Sequence, residues 1–145
     1  MILGIDFGKK RIGTALLNPG TTIPYPHEVV YFKSKAQVIE RLLAIIARDK
    51  VTTVVFGMPY MHDGSENEWC AEIRWYGAII AKEAKVSVVY ADERCTSVEA
   101  NQILHGKQKY RKAEVDRLAA VLILEEYLNQ IRKQAKSSAP ETQQP

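Results

Sequence analysis

Apolar residues fall in short blocks early in the chain and at helical spacing later. Ile2 to Phe7, Ile12 to Leu17 and Glu28 to Phe32 read as three strands. A loop of four residues joins the first two, so they should pair antiparallel. Pro24-Tyr25-Pro26 should keep the approach to the third irregular. Ser34-Lys35-Ala36-Gln37 then matches a capping box, and Val38, Leu42, Ile45 and Ile46 recur along one face of a helix over 35–49. The β-branched run Thr52 to Phe56 predicts a central strand ending at Gly57-Met58-Pro59, which opens a loop from Tyr60 to Gly64. Ser65-Glu66-Asn67-Glu68 matches a second capping box, starting a helix to about Ala84.

Within that helix Trp75, Ile79 and Ile80 have core spacing, whereas Trp69 is a candidate for stacking on a base. Val86 to Ala91 predicts a fifth strand, and Thr96-Ser97-Val98-Glu99 a third capping box before a short helix to Leu104. The basic stretch 105–112 reads as a loop. The last helix should run from Ala113 to Lys133, apolar without a break from Leu118 to Leu124. Three meandering strands followed by helix-linked crossovers make an α/β domain with a mixed sheet. The first three strands would be antiparallel, and the first, fourth and fifth parallel. The domain spans 1–133, and the polar residues 134–145 read as a disordered tail.

Two positions break the pattern. Asp6 is a carboxylate at the end of an apolar strand, followed by Gly8 and by Lys9, Lys10 and Arg11. Asp116 heads the buried stripe Ala119, Ala120, Ile123 and Leu124. A first-turn acid suits the helix dipole, so Asp116 alone has a structural reading. In an open α/β sheet, however, ligands bind beyond the carboxyl ends of the parallel strands. Asp6, Gly57-Met58-Pro59 and Asp92-Glu93-Arg94 would then share one edge, and Asp116 could face it. Either Asp92 or Glu93 could turn inward, since both lie at a strand end; the alternative is a solvated turn paired with Arg94.

Clustered carboxylates repel, and a hard divalent cation with oxygen ligands offsets the repulsion. Mg²⁺ or Mn²⁺ held by Asp6, Glu93 and Asp116 would suit phosphodiester hydrolysis. No Ser/His/Asp or Cys/His arrangement competes; His27, His62 and His105 lie in unrelated contexts.

Charge and composition refine this picture slightly. The net charge of +3 permits a nucleic-acid partner without demanding one. Clustering is more telling: Lys107, Lys109, Arg111, Lys112 and Arg117 face only Glu114 and Asp116. These cations, with Lys9, Lys10, Arg11 and Arg94, are the candidates for phosphate contacts. The two cysteines, Cys70 and Cys95, have no metal-ligand spacing and read as small packing residues in a reducing compartment. No basic-then-apolar leader and no run of ~20 apolar residues is visible, so a cytoplasmic location is expected.

Four motifs, in order, resemble the YqgF/RuvX family of pre-16S rRNA nucleases and Holliday junction resolvase relatives. They are Gly4-Ile5-Asp6-Phe7-Gly8 with Lys10-Arg11-Ile12-Gly13; Gly57-Met58-Pro59 with Asp63-Gly64-Ser65-Glu66; Asp92-Glu93-Arg94 with Thr96 and Val98-Glu99-Ala100; and Asp116 with Leu118-Ala119-Ala120 and Ile123-Leu124. The resemblance covers about residues 2–130. It implies a ribonuclease H-like fold, metal-dependent nuclease chemistry at Asp6, Glu93 and Asp116, and a role in maturing the 5′ end of 16S rRNA. The chain departs from the family at Cys95 and Ser97, where Leu and Thr are commoner, and at Tyr60-Met61-His62. Two other readings share parts of the pattern. A junction resolvase acting on branched DNA has the same fold and metals. An ATP-binding domain of the actin and sugar-kinase type has a similar first loop but normally needs two lobes. A non-catalytic RNA-binding module is the third alternative. Metal number, cleavage mode and oligomeric state are not fixed by the sequence.

Overall fold

The computed structural model describes residues 1–93 and 112–142. Five strands form one sheet: β1 (Ile2–Phe7), β2 (Arg11–Leu17), β3 (Tyr25–Tyr31), β4 (Thr53–Met58) and β5 (Ser87–Asp92). Their order is β3-β2-β1-β4-β5. β2 lies antiparallel to β1 and β3, while β4 lies parallel to β1 and β5, as expected from the connections. Helices α1 (Lys35–Arg48) and α2 (Glu68–Ala84) provide the crossovers, and α3 (Lys112–Thr142) follows the sheet. The short helix expected at 96–104 and the basic loop to Arg111 lie outside the described residues.

Strand alternation splits the sheet into two unlike faces. On one, Leu3, Ile5, Phe7, Ile12, Leu16, Val54, Phe56 and Met58 pack against α1 and α2. The other receives α3, whose Ala120, Val121, Ile123 and Leu124 meet Ala15, Leu17, Val55 and Ala91. Small residues dominate the second face because the helix lies almost on the strand backbones. A Cβ at Gly4 would sit 2.5 Å from Leu124 Cγ and 3.0 Å from the Ala120 carbonyl oxygen. One at Gly13 would collide with the Asp116 backbone and lie 2.8 Å from Asp116 Cβ.

Several boundaries differ from the sequence reading. β3 starts at Tyr25 and includes Pro26. It is an edge strand, where a missing N–H is tolerated. Its register against β2 shifts between Gly13 and Ala15, and the Thr14 hydroxyl donates to the Glu28 carbonyl there. β4 runs through Gly57 to Met58, consistent with a strand ending at Gly57-Met58-Pro59.

The N-cap of α2 is Asn67, whose side chain accepts from Cys70 N at 2.9 Å. Ser65 instead closes an Asp63-Gly64 turn, donating from its backbone N and its hydroxyl to Asp63 Oδ1, with Gly64 at φ 86°. The buried stripe of α2 is Cys70, Ile73, Tyr76, Gly77 and Ile80. Trp75, expected in the core, is 47% exposed with the Lys35 ammonium over its ring. The box at Ser34 does cap α1: Ser34 Oγ accepts from Gln37 N, and Gln37 Oε1 accepts from Lys33 N. Finally, α3 extends to Thr142, past the end expected at Lys133. No glycine stops the helix after Lys133, and Gln134, Ala135 and Lys136 are good helix formers. From Ile131 to Lys136 it is exposed. Among the described residues no helix is long and apolar enough to cross a membrane.

Candidate active site

β1, β4 and β5 are parallel, so their carboxyl ends meet at one edge. Asp6 is the penultimate residue of β1, paired across to Gly13. Alternation puts it on the same face as Gly4, the face covered by α3. The same rule separates Asp92 from Glu93. Asp92 pairs with Met58, whose side chain belongs to the α1/α2 core. Glu93 follows on the α3 face, below the Gly57–Ala91 pair. Its backbone N donates to the Met58 carbonyl at 3.1 Å, carrying the ladder one residue past the strand. Gly57 makes room for the side chain: a Cβ there would lie 2.6 Å from Glu93 Oε2.

Glu93 is buried, with 9% of its surface exposed, and its carboxyl hydrogen-bonds to that of Asp6. Two carboxyls in such contact cannot both ionise at low cost. Burial, the Asp6 charge and the hydrogen bond to Asp6 push the Glu93 carboxyl up to about 9. Burial likewise raises Asp6 to about 6, opposed by the hydrogen bond from Glu93 and reinforced by the charge of Asp116. At neutral pH the pair therefore holds one proton between its two carboxyls.

Asp116 lies in the second turn of α3, against β2 at Gly13. It is close enough to raise the Asp6 carboxyl, yet its Oδ2 accepts from Arg11 Nε at 2.5 Å. Arg11 was expected among the phosphate-binding cations of the hairpin tip. It is instead the first residue of β2, only partly exposed, and committed to Asp116. A strand residue shares a face with every second neighbour, so Arg11 looks towards α3 as Gly13 and Ala15 do.

Of the three acids, then, Asp6 and Glu93 are joined directly, and Asp116 stands beside them in an ion pair. Among the described residues no group of three or more His, Cys, Asp or Glu side chains is arranged to hold a metal ion. The Asp6–Glu93 pair nonetheless fits a hard divalent cation in kind. It is an all-oxygen donor set whose mutual repulsion such an ion would relieve in place of the shared proton. Lys9 and Lys10 are exposed at the same edge. Arg94, Lys107, Lys109 and Arg111 lie outside the described residues, and of Lys112 only the backbone is described, at the start of α3.

The sequence reading missed Gly13 and Gly57, which position the acids by leaving space for them. A glycine inside an apolar strand was the available signal.

Known proteins resemble this chain over most of its length. A family model described as RuvX, Holliday junction resolvase, matches residues 1–130. A protein of Anaplasma marginale named "Putative pre-16S rRNA nuclease" is 35% identical over 131 residues, covering 88% of this chain and 83% of its own. One of the same name from Crocosphaera subtropica is also 35% identical, covering 90% and 93%. Among solved structures, Thermus thermophilus RuvC in complex with a Holliday junction substrate superposes with a TM-score of 0.56 at 19% identity, covering 89% of this chain and 94% of that one. The fowlpox virus resolvase in complex with Holliday junction DNA gives 0.55 at 10% identity, covering 92% and 97%. At these identities the structural likeness establishes the shared ribonuclease H-like fold.

Proposed function

The chain belongs to the RuvX, Holliday junction resolvase, family, and on that premise we propose that it is a metal-dependent nuclease acting on the 5′ end of pre-16S rRNA. The observation that carries the reading is the contact between half-buried Asp6 and buried Glu93 at the carboxyl edge of the sheet, with Asp116 alongside. A structural ion network would neutralise buried acids with basic side chains. Here a buried acid, Glu93, lies against a half-buried one, Asp6, and that arrangement is stable only with a proton or a cation between them. The RNA substrate is taken from the names of the relatives.

Asp6, Glu93 and Asp116 would hold Mg²⁺ or Mn²⁺, which when bound supplies Lewis-acid polarisation of the phosphate and acidifies a water. The chain's own residues set the conditions. Glu93 must release its proton before both carboxylates can act as ligands. Arg11 holds Asp116 through Oδ2, which fixes the carboxylate while leaving Oδ1 outside that hydrogen bond. Lys9 and Lys10 draw the phosphate backbone to the edge, with a strength that falls as salt rises.

The test is cleavage of a structured RNA carrying the 16S leader, beside a four-way DNA junction, with Mn²⁺ or Mg²⁺. RNA cleavage lost in Asp6→Asn, with an unchanged circular dichroism spectrum, is the expected result. Undiminished activity in a clean Asp6→Asn preparation refutes the mechanism. Cleavage of the junction alone transfers the substrate to branched DNA, the substrate of the solved complexes.

A further inference from the structure

Phe7 follows Asp6 in β1 and so enters the opposite face of the sheet at the same carboxyl edge. There it forms the floor of a cavity of about 300 Å³ between β1 and the start of α2. Phe7 and Tyr76 stack at 4.6 Å between ring centroids and are buried; the partly exposed rings of Trp69 and Phe32 make the walls. Trp69 meets Phe7 edge-on at 5.7 Å, with an interplanar angle of 73°.

The rim is charged in a specific way. The Lys9 ammonium lies 5.9 Å from the Trp69 ring centroid. Glu68 and Glu72, one helical turn apart on α2, also line the cavity. Glu72 also lies 3.8 Å from the Lys35 ammonium.

We propose that this cavity binds an unpaired nucleobase of the substrate strand, next to the phosphate held at Asp6. The proposal rests on the nuclease reading above. Flat aromatic walls accept any base through stacking. A cation at the mouth suits the phosphate that every nucleotide carries. Carboxylates at the rim accept hydrogen bonds from the amino edges of bases. An apolar ligand would leave Lys9, Glu68 and Glu72 without use, and a free anion would meet two carboxylates. The sequence order completes the case. Adjacent strand residues face opposite sides of the sheet, so a nucleic-acid strand folded over its end meets Asp6 with a phosphate and Phe7 with the attached base.

The experiment uses the full chain carrying Trp75→Phe, which leaves Trp69 as its one tryptophan. Trp69 emission is titrated in EDTA, without cleavage, against a short single-stranded RNA and against an abasic strand of equal length and charge. Saturable quenching by the RNA, with affinity roughly tenfold weaker for the abasic strand, is expected from the usual worth of one stacked base. Equal affinity and equal quenching for both strands overturn the proposal. Because the comparison is between ligands on one intact protein, it does not depend on a cavity variant that folds. Cleavage with Mn²⁺ is read separately. Base-dependent quenching without cleavage removes the nuclease reading and keeps the cavity, whereas cleavage without base dependence does the reverse.

Discussion

Replacing Glu93 with Gln should make the metal-free protein more stable at neutral pH, although it removes a proposed ligand. The Glu93 carboxyl stands at about 9, raised from its ordinary 4.5 chiefly by burial. The sign follows from linkage. Below pH 4.5 folded and unfolded chains both keep the proton, and Glu93 adds no pH-dependent cost. As pH rises from 4.5 the unfolded chain ionises first, so stability falls until the folded carboxyl also ionises near pH 9. Asp6, raised from 3.8 to about 6, adds a smaller loss of the same sign between those values. pH 7 lies roughly 2.5 units above the unfolded carboxyl's 4.5, which at about 1.36 kcal/mol per unit costs about 3 kcal/mol. That is a large share of a typical domain's stability. A Gln at this position never ionises, and its amide donates to Asp6 as the Glu93 carboxyl does. The assay is urea unfolding in EDTA at pH 5, 7 and 8.5. Wild type should weaken steadily across the range, while Glu93→Gln stays nearly flat and is the more stable of the two at pH 7 and above. Wild-type stability that rises or holds level from pH 5 to 8.5, or a Glu93→Gln protein no more stable at pH 8.5, refutes the buried acid pair. Mn²⁺ at about a hundred times its Kd should return about 2.7 kcal/mol to wild type and clearly less to the variant.

Other outcomes follow from close contacts. Gly57→Ala and Gly4→Ala should each cost about 1–3 kcal/mol in denaturant unfolding through overpacking. Only Gly57→Ala places its new methyl against Glu93, so it should lower the cleavage rate per folded molecule by at least about tenfold, and by more than Gly4→Ala does. Equal rates for the two would detach Glu93 from the site. Asn67→Ala should lose about 1 kcal/mol through its cap, while Ser65→Ala, in the preceding turn, loses less; the reverse order in thermal melts would return the cap to Ser65.

The strands were legible where apolar runs are dense, and Asp6 stood out because a carboxylate interrupted one. Topology followed, since loop length and crossovers left little choice for β1, β2 and β4. Other features depended on contacts that no local pattern encodes. Trp75 and Tyr76 are neighbours with similar propensity, and only the packing of Tyr76 on Phe7 decides which ring is buried. Arg11 reads as one of three loop cations until α3 brings Asp116 to it from 105 residues away. The choice between Asp92 and Glu93 needed the register of β5 on β4, which fixes the face of each. Gly57 read only as part of the strand's end because the reason for a glycine there, the Glu93 side chain, is distant in sequence.

The two faces of the sheet will tolerate sequence drift very differently. Against α1 and α2, side chain meets side chain, and a lost methyl at Val54 or Leu42 can be made up by a neighbour. Against α3, a helix rests on bare backbone at Gly4, Gly13 and Gly57, where no compensating trade in volume exists. Those three positions act as a gauge block: they set the height of α3 above the sheet, and with it the separation of Asp116 from Asp6. A population of functional variants selected from random mutagenesis should therefore be rich in substitutions on one face and nearly monomorphic along this glycine line on the other.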